Sequence, residues 1–113
     1  MTDQADTLAA QLAPYREIPG ILAALLVSRD GFVVAADAGP EIQPDAVAAQ
    51  VAGVIDIAAR LSAEFGKPEA KYISLEFEDL NLVLAPFGGE LMLVLAGLPG
   101  ALSCEYRLIR PGA

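Results

Sequence analysis

The side chains of this sequence that could carry protons or hold metal ions are chiefly its 15 Asp and Glu carboxylates. The chain contains no histidine and a single cysteine, Cys104. A Ser-His-Asp or Cys-His nucleophile is therefore excluded, and the commonest general acid-base residue is missing. Thiolates and imidazoles cannot gather into a zinc site. Cys104 has no internal disulfide partner and reads as a small buried hydrophobe. Glu76, Glu78 and Asp79 form a tight acidic cluster, but their spacing matches no EF-hand loop, and a solvated turn is the expectation. Arg29, Arg107 and Arg110 invite comparison with an arginine finger, and nothing around them selects one.

Phosphate binding fares no better. No GxxxxGK[ST] pattern is present. Gly66-Lys67 closes an apolar periodic segment and is followed by Pro68, so it is a helix cap rather than a phosphate loop. Gly88-Gly89 is a hairpin signal with no helix beginning after it. No catalytic, cofactor-binding or metal-ligating residue is assigned, no cofactor is expected, and the chain is read as a binding protein rather than an enzyme.

The composition supports that reading. With 113 residues and 11.8 kDa, the chain is expected to form a single domain, residues 1–113, with one core. Hydrophobic residues make up 55% of it and its mean hydropathy is +0.49. Apolar surface left over after folding usually ends in a subunit interface. The net charge of −8 argues against nucleic acid and anionic membrane partners, which need clustered Lys and Arg. The uninterrupted apolar runs Ile21–Val27 and Leu91–Ala96 fall far short of the ~20 residues a bilayer helix needs, so no membrane insertion is expected. Asp3 and Asp6 stand where a signal peptide would be basic. The expected location is the cytoplasm.

These residues must be held by elements, and the pattern predicts them in order. Thr2 to Glu17 has helical spacing at Leu8, Leu12 and Tyr15, with Pro14 kinking it or ending it early. Ile21–Val27 is too short and too bounded for a helix and predicts a strand covered on both faces. Asp30-Gly31 then turns the chain into a return strand, Phe32–Ala36. Pro44–Phe65 predicts a long helix whose inward stripe is Val47, Val51, Val54, Ala58, Leu61 and Phe65. Lys71–Phe77, Leu80–Phe87 and Leu91–Gly97 predict a three-stranded meander, and Ala101–Arg110 a short closing helix. The fold class is α/β (α+β): a five-stranded antiparallel sheet with helices on both faces, in the order α-β-β-α-β-β-β-(α).

That order resembles the Roadblock family, of the dynein light-chain type and its bacterial gliding-motility relatives. The residues that carry the resemblance are Ile18-Pro19-Gly20-Ile21, Leu26-Val27-Ser28-Arg29-Asp30-Gly31, the Ala- and Val-rich long helix and the closing meander. It covers nearly the whole chain and is weakest at the C-terminus, where Pro111-Gly112 cuts the last helix short. The resemblance implies a Roadblock/profilin-like fold and a homodimer made by joining edge strands, with the long helices side by side. It also implies a platform for a small Ras-like GTPase, whose hydrolysis some bacterial members stimulate without binding nucleotide themselves.

Two features of the sequence agree with a dimer. Along the long helix a flank of Ala48, Ala52, Ile55, Ala59 and Ala63 lets another helix approach closely, although Ala is also simply the best helix former. Opposite the stripe lies a polar ridge of Asp56, Arg60 and Glu64. Lys71, Tyr72, Ile73, Ser74, Leu75 and Glu76 form the natural edge strand, where symmetric pairing removes an aggregation liability. The expected interface joins that flank and that edge. A pure scaffold with no effect on hydrolysis is the first alternative, and a PAS-like small-ligand sensor, which requires a cavity, is the second.

Overall fold

Main-chain hydrogen bonding organises the chain into one mixed sheet-and-helix layer structure, seen here in a computed structural model that describes residues 9–101. The elements are α1 (Ala13–Arg16), β1 (Ile21–Ser28), β2 (Val33–Ala38), α2 (Pro44–Glu64), β3 (Ile73–Glu76), β4 (Asn81–Gly88) and β5 (Leu91–Gly97). The five strands form one antiparallel sheet in the order β2-β1-β5-β4-β3. The continuous apolar runs β1 and β5 pair with each other along most of their length. Doubly covered strands belong in the centre of a sheet, and there they sit.

The sheet divides the core in two. On one face Leu12, Ile21, Ala24, Leu26, Val83, Leu93 and Leu95 pack beneath residues around α1, with Tyr15 and Ile18 against them. On the other, Ala23, Leu25, Val27, Leu84, Met92 and Val94 meet α2 through Ala48 and Val51.

The N-terminal helix is broken. Ala9 and Ala10 are helical, the chain turns at Gln11–Leu12, and α1 restarts with Pro14 in its first turn. Proline has no N–H to give to a helix interior, whereas the first turn needs none. Leu12 at the break is fully buried. The expected C-terminal helix, Ala101–Arg110, lies outside the described residues apart from Ala101.

The turns follow their glycines. Gly31 adopts φ +98°, its N–H donates to the Ser28 carbonyl at 3.0 Å, and the Ser28 N–H donates to the Phe32 carbonyl at 2.8 Å. Gly66, at φ +65°, ends α2 by donating to Ala63, a cap that needs left-handed backbone. Several boundaries differ from the sequence reading: β1 runs on to Ser28, β2 is Val33–Ala38 rather than Phe32–Ala36, α2 ends at Glu64, β4 is Asn81–Gly88 rather than Leu80–Phe87, and β3 is the four residues Ile73–Glu76 without Lys71, Tyr72 or Phe77.

Candidate interaction surface

One edge of the sheet is β3. Ile73 and Leu75 lie opposite Leu84 and Leu82 of β4, on the α2 side. The Phe77 N–H donates to the Leu80 carbonyl across the turn at 2.7 Å. Main-chain groups point to alternate sides along an antiparallel strand. Ile73, Leu75 and Phe77 therefore direct theirs toward β4, and Ser74 and Glu76 direct theirs outward. Lys71, Tyr72, Ser74, Leu75 and Glu76 are all exposed, and Ile73 is half-buried.

Beside this edge lies an apolar groove. Five strands at about 4.8 Å spacing make a face roughly 20 Å wide, while one helix covers about 10–12 Å. Because α2 packs over β1 and β2, the β3–β4 side of that face is left partly uncovered. The resulting groove has a volume of about 430 Å³. Ala46, Val47, Gln50 and Val54 of α2 form one wall, and Leu75, Leu80 and Leu82 the other. Gln50 is the one polar residue in the lining.

The wall continues along α2 beyond the groove. Ile57 is 65% exposed and Leu61 60%, and at 100° per residue both fall on the same flank as Gln50 and Val54. This corrects the expected inward stripe. Val47, Val51, Val54 and Ala58 do face the sheet, but Leu61 and Phe65 are exposed. In the expected small-residue flank the correction concerns Ala48. Ala48 is fully buried in the chain's own core, beside the β1–β2 turn that Gly31 brings close. Ile55 is half-buried against the same core, Ala52 is half-buried, and Ala59 and Ala63 are exposed. Ile55 and Ala59 line a crevice with Glu69, Ala70 and Tyr72 of the connector between α2 and β3. That flank therefore faces the chain's own loops for much of its length. The polar ridge is present, with Asp56 and Arg60 paired at 2.9 Å.

The sequence signal was ambiguous because α2 is apolar around more than half its circumference, which leaves its rotation open. The 21-residue α2 also contains an 18-residue window of mean hydropathy 1.4, long and apolar enough to cross a membrane, which counting uninterrupted runs did not reveal. Its one-sided packing and the charges at Asp45, Asp56, Arg60 and Glu64 suit a helix lying on a sheet.

The residues considered for chemistry do not converge. Glu76, Glu78 and Asp79 are exposed around the β3–β4 turn, and no three His, Cys, Asp or Glu side chains among the described residues group to hold a metal. Arg29 donates to both carboxylate oxygens of Glu69, at 2.8 and 2.7 Å, and so ties the β1–β2 turn to the connector. Arg16 binds the carbonyl and carboxylate of Asp37. Burial pushes the Tyr15 phenol above its ordinary value. Cys104, Arg107 and Arg110 lie outside the described residues.

The Roadblock/LC7 domain model matches residues 4–96. The chain belongs to the Roadblock/LC7 family. Comparison with curated protein sequences gave no match. Among solved structures, Myxococcus xanthus MglB is similar at TM-score 0.76 and 15% identity, over 96% of this chain and 83% of that one. The gliding protein MglB of Thermus thermophilus is similar at TM-score 0.74 and 22% identity, over 96% and 84%. A Roadblock/LC7 domain from Streptomyces avermitilis is similar at TM-score 0.71 and 22% identity, over 84% and 78%. At these identities the likeness is one of fold, and it places the five-stranded antiparallel sheet with its helices within the Roadblock architecture.

Proposed function

We propose that this chain is a homodimeric, non-enzymatic Roadblock protein that binds a small Ras-like GTPase and modulates its GTP cycle. One observation carries the reading: an outward-facing edge strand and an apolar groove lie side by side on the α2 face of the sheet. An open edge invites a further strand, and an apolar wall of this size invites another protein surface. Pairing of two β3 strands about a two-fold satisfies both at once, because it closes the edge and sets two grooves against each other. The α2 flank at Ile57 and Leu61 then lies near the join, available to the partner helix or to the GTPase. Similarity to MglB structures, one of them described as having a tetrameric arrangement, supports self-association.

Light scattering across a dilution series tests the dimer, and a mass of one chain at micromolar concentration would remove the reading. Titration of the purified protein into a GTP-hydrolysis assay with a Ras-like GTPase of the same organism tests the second half. A change in turnover is expected, and binding without any change would favour a pure scaffold. Ile57→Ser with Leu61→Ser should leave the melting temperature within a few degrees, since both side chains are exposed, and should weaken GTPase or dimer binding at least tenfold. A small-ligand sensor is disfavoured by the groove itself, whose lining holds no charged residue to orient a ligand.

A further inference from the structure

We infer that Arg29 is a positioning residue for the interaction edge: by holding Glu69 it fixes the connector between α2 and β3, and so sets β3 in place for a second copy to meet. The inference rests on the strand-pairing reading above and gives Arg29 a task that the sequence had left open. Arg29 stands in the turn between β1 and β2, where three segments converge. Its main-chain N–H donates to the Glu90 carbonyl, in the turn between β4 and β5, at 3.1 Å. Its Nη2 donates to both carboxylate oxygens of Glu69 in the connector, at 2.8 and 2.7 Å. The Arg29 side chain is only 28% exposed, and the same turn lies against Ala49 and Ala52 of α2 at Gly31. The guanidinium therefore reaches the connector from a base that is already fixed, and little of its freedom remains to be lost on binding Glu69.

The strand β3 needs such a fastening. It is four residues long and has β4 as its one neighbour in the sheet, so it makes few hydrogen bonds of its own. The connector, residues 65–72, is neither helix nor strand. Its start is capped, because the N–H groups of Gly66 and Lys67 donate to Ala63 and Ser62. Beyond the cap, Ala70 and Tyr72 lie along a shallow crevice with Ile55 and Ala59 of α2, and residues 67–72 are exposed. With Glu69 held, Ile73 must begin within about 14 Å of it, at no more than about 3.6 Å per residue. The tether shortens the free path to β3 and lowers the entropy that ordering the strand costs. An ion pair this open to solvent adds little to the stability of the whole fold. Its effect belongs at the end of the connector that it tethers, where β3 must keep its register on β4 while its outer side meets a second strand.

A double-mutant cycle in the full chain tests this role. Arg29→Gln, Glu69→Gln and the double variant are compared by amide hydrogen exchange at Ile73 and Leu75, whose N–H groups point toward β4, and by light scattering on a dilution series. Each single variant should speed exchange at those two amides about three- to tenfold and weaken self-association by a similar factor, while Leu25 and Leu93 in the central strands keep their protection. The double variant should do no more than either single one, because both remove the same contact. Arg60→Gln removes the same charge by breaking the exposed pair with Asp56 on α2, and should leave exchange at Ile73 and Leu75 as it is. Unchanged exchange at Ile73 and Leu75 in Arg29→Gln would overturn the inference. So would effects of the two substitutions that add, or an equal rise at Leu25 and Leu93, which marks a general loss of stability. A wild type that is monomeric at every concentration, with the exchange results as expected, would instead sink the strand-pairing reading and leave Arg29 as the fastening of β3.

Discussion

Substituting Ser74 by proline separates folding from assembly. The Ser74 N–H points away from β4, because Phe77 and the residues in step with it point toward β4. Removing that N–H therefore takes no hydrogen bond from the chain's own sheet, and proline is tolerated on edge strands for this reason. Ile73, the residue before it, is already extended, as proline requires of its predecessor. The cost to the monomer is a local shift in φ, of about 1 kcal/mol. The dimer is affected differently. A two-fold doubles every loss, so two N–H···O bonds vanish at about 1 kcal/mol each, and two acceptors lose their donors at about 1 kcal/mol each or more. The sum is about 4 kcal/mol, or on the order of a thousandfold in the dissociation constant at 1.4 kcal/mol per decade. Sedimentation equilibrium or light scattering on a dilution series gives the dissociation constant, and a urea melt at low concentration gives the monomer's stability. The reasoning is refuted if Ser74→Pro dimerises within threefold of the wild type. It is refuted equally if the monomer loses more than about 3 kcal/mol, since the N–H would then be used within the chain.

Other predictions concern the scaffold. Leu93 is fully buried at the centre of the sheet, and Leu93→Ala should cost about 2–5 kcal/mol of stability by urea titration. Gly31→Ala would force a side chain into φ +98° with its Cβ 3.4 Å from that of Ala52, and should cost about 1–3 kcal/mol; a neutral result would mean that the β1–β2 turn relaxes. Tyr15 has a raised folded-state pKa caused by burial. A group raised on folding contributes stability below its unfolded value, about 10, and loses it as pH rises through the folded value. Stability should therefore fall on alkaline titration above about pH 10, and Tyr15→Phe should make that fall shallower.

How much of this was legible in the sequence differs from element to element. The strands β1 and β5 were readable because an apolar run bounded by Pro-Gly and by Gly-containing turns has few alternatives, and their central place in the sheet follows from being apolar on both faces. The turns at Gly31 and Gly66 were readable because only glycine accepts those backbone angles at little cost. The Roadblock family was already suggested by Ile18 to Gly31 and the order of elements. The break at Gln11–Leu12 was half legible: Pro14 announced it, but only the burial of Leu12 fixed where it falls.

The interaction surface divides the same way. Alternation in Ile73, Leu75 and Phe77 told one face of β3 from the other, and the absence of proline marked it as an edge that can pair. The rotation of α2 was beyond the sequence. Ala48 and Leu61 are both apolar, both at helical spacing, and equally able to face inward by pattern alone. Tertiary packing decided between them, because Ala48 packs into the core with Ala23, Leu25 and Val27, and the width of a five-stranded sheet leaves Leu61 with nothing above which to lie. Local chemistry set what each segment could become, and the shared geometry of sheet and helix determined which apolar side chains remained exposed.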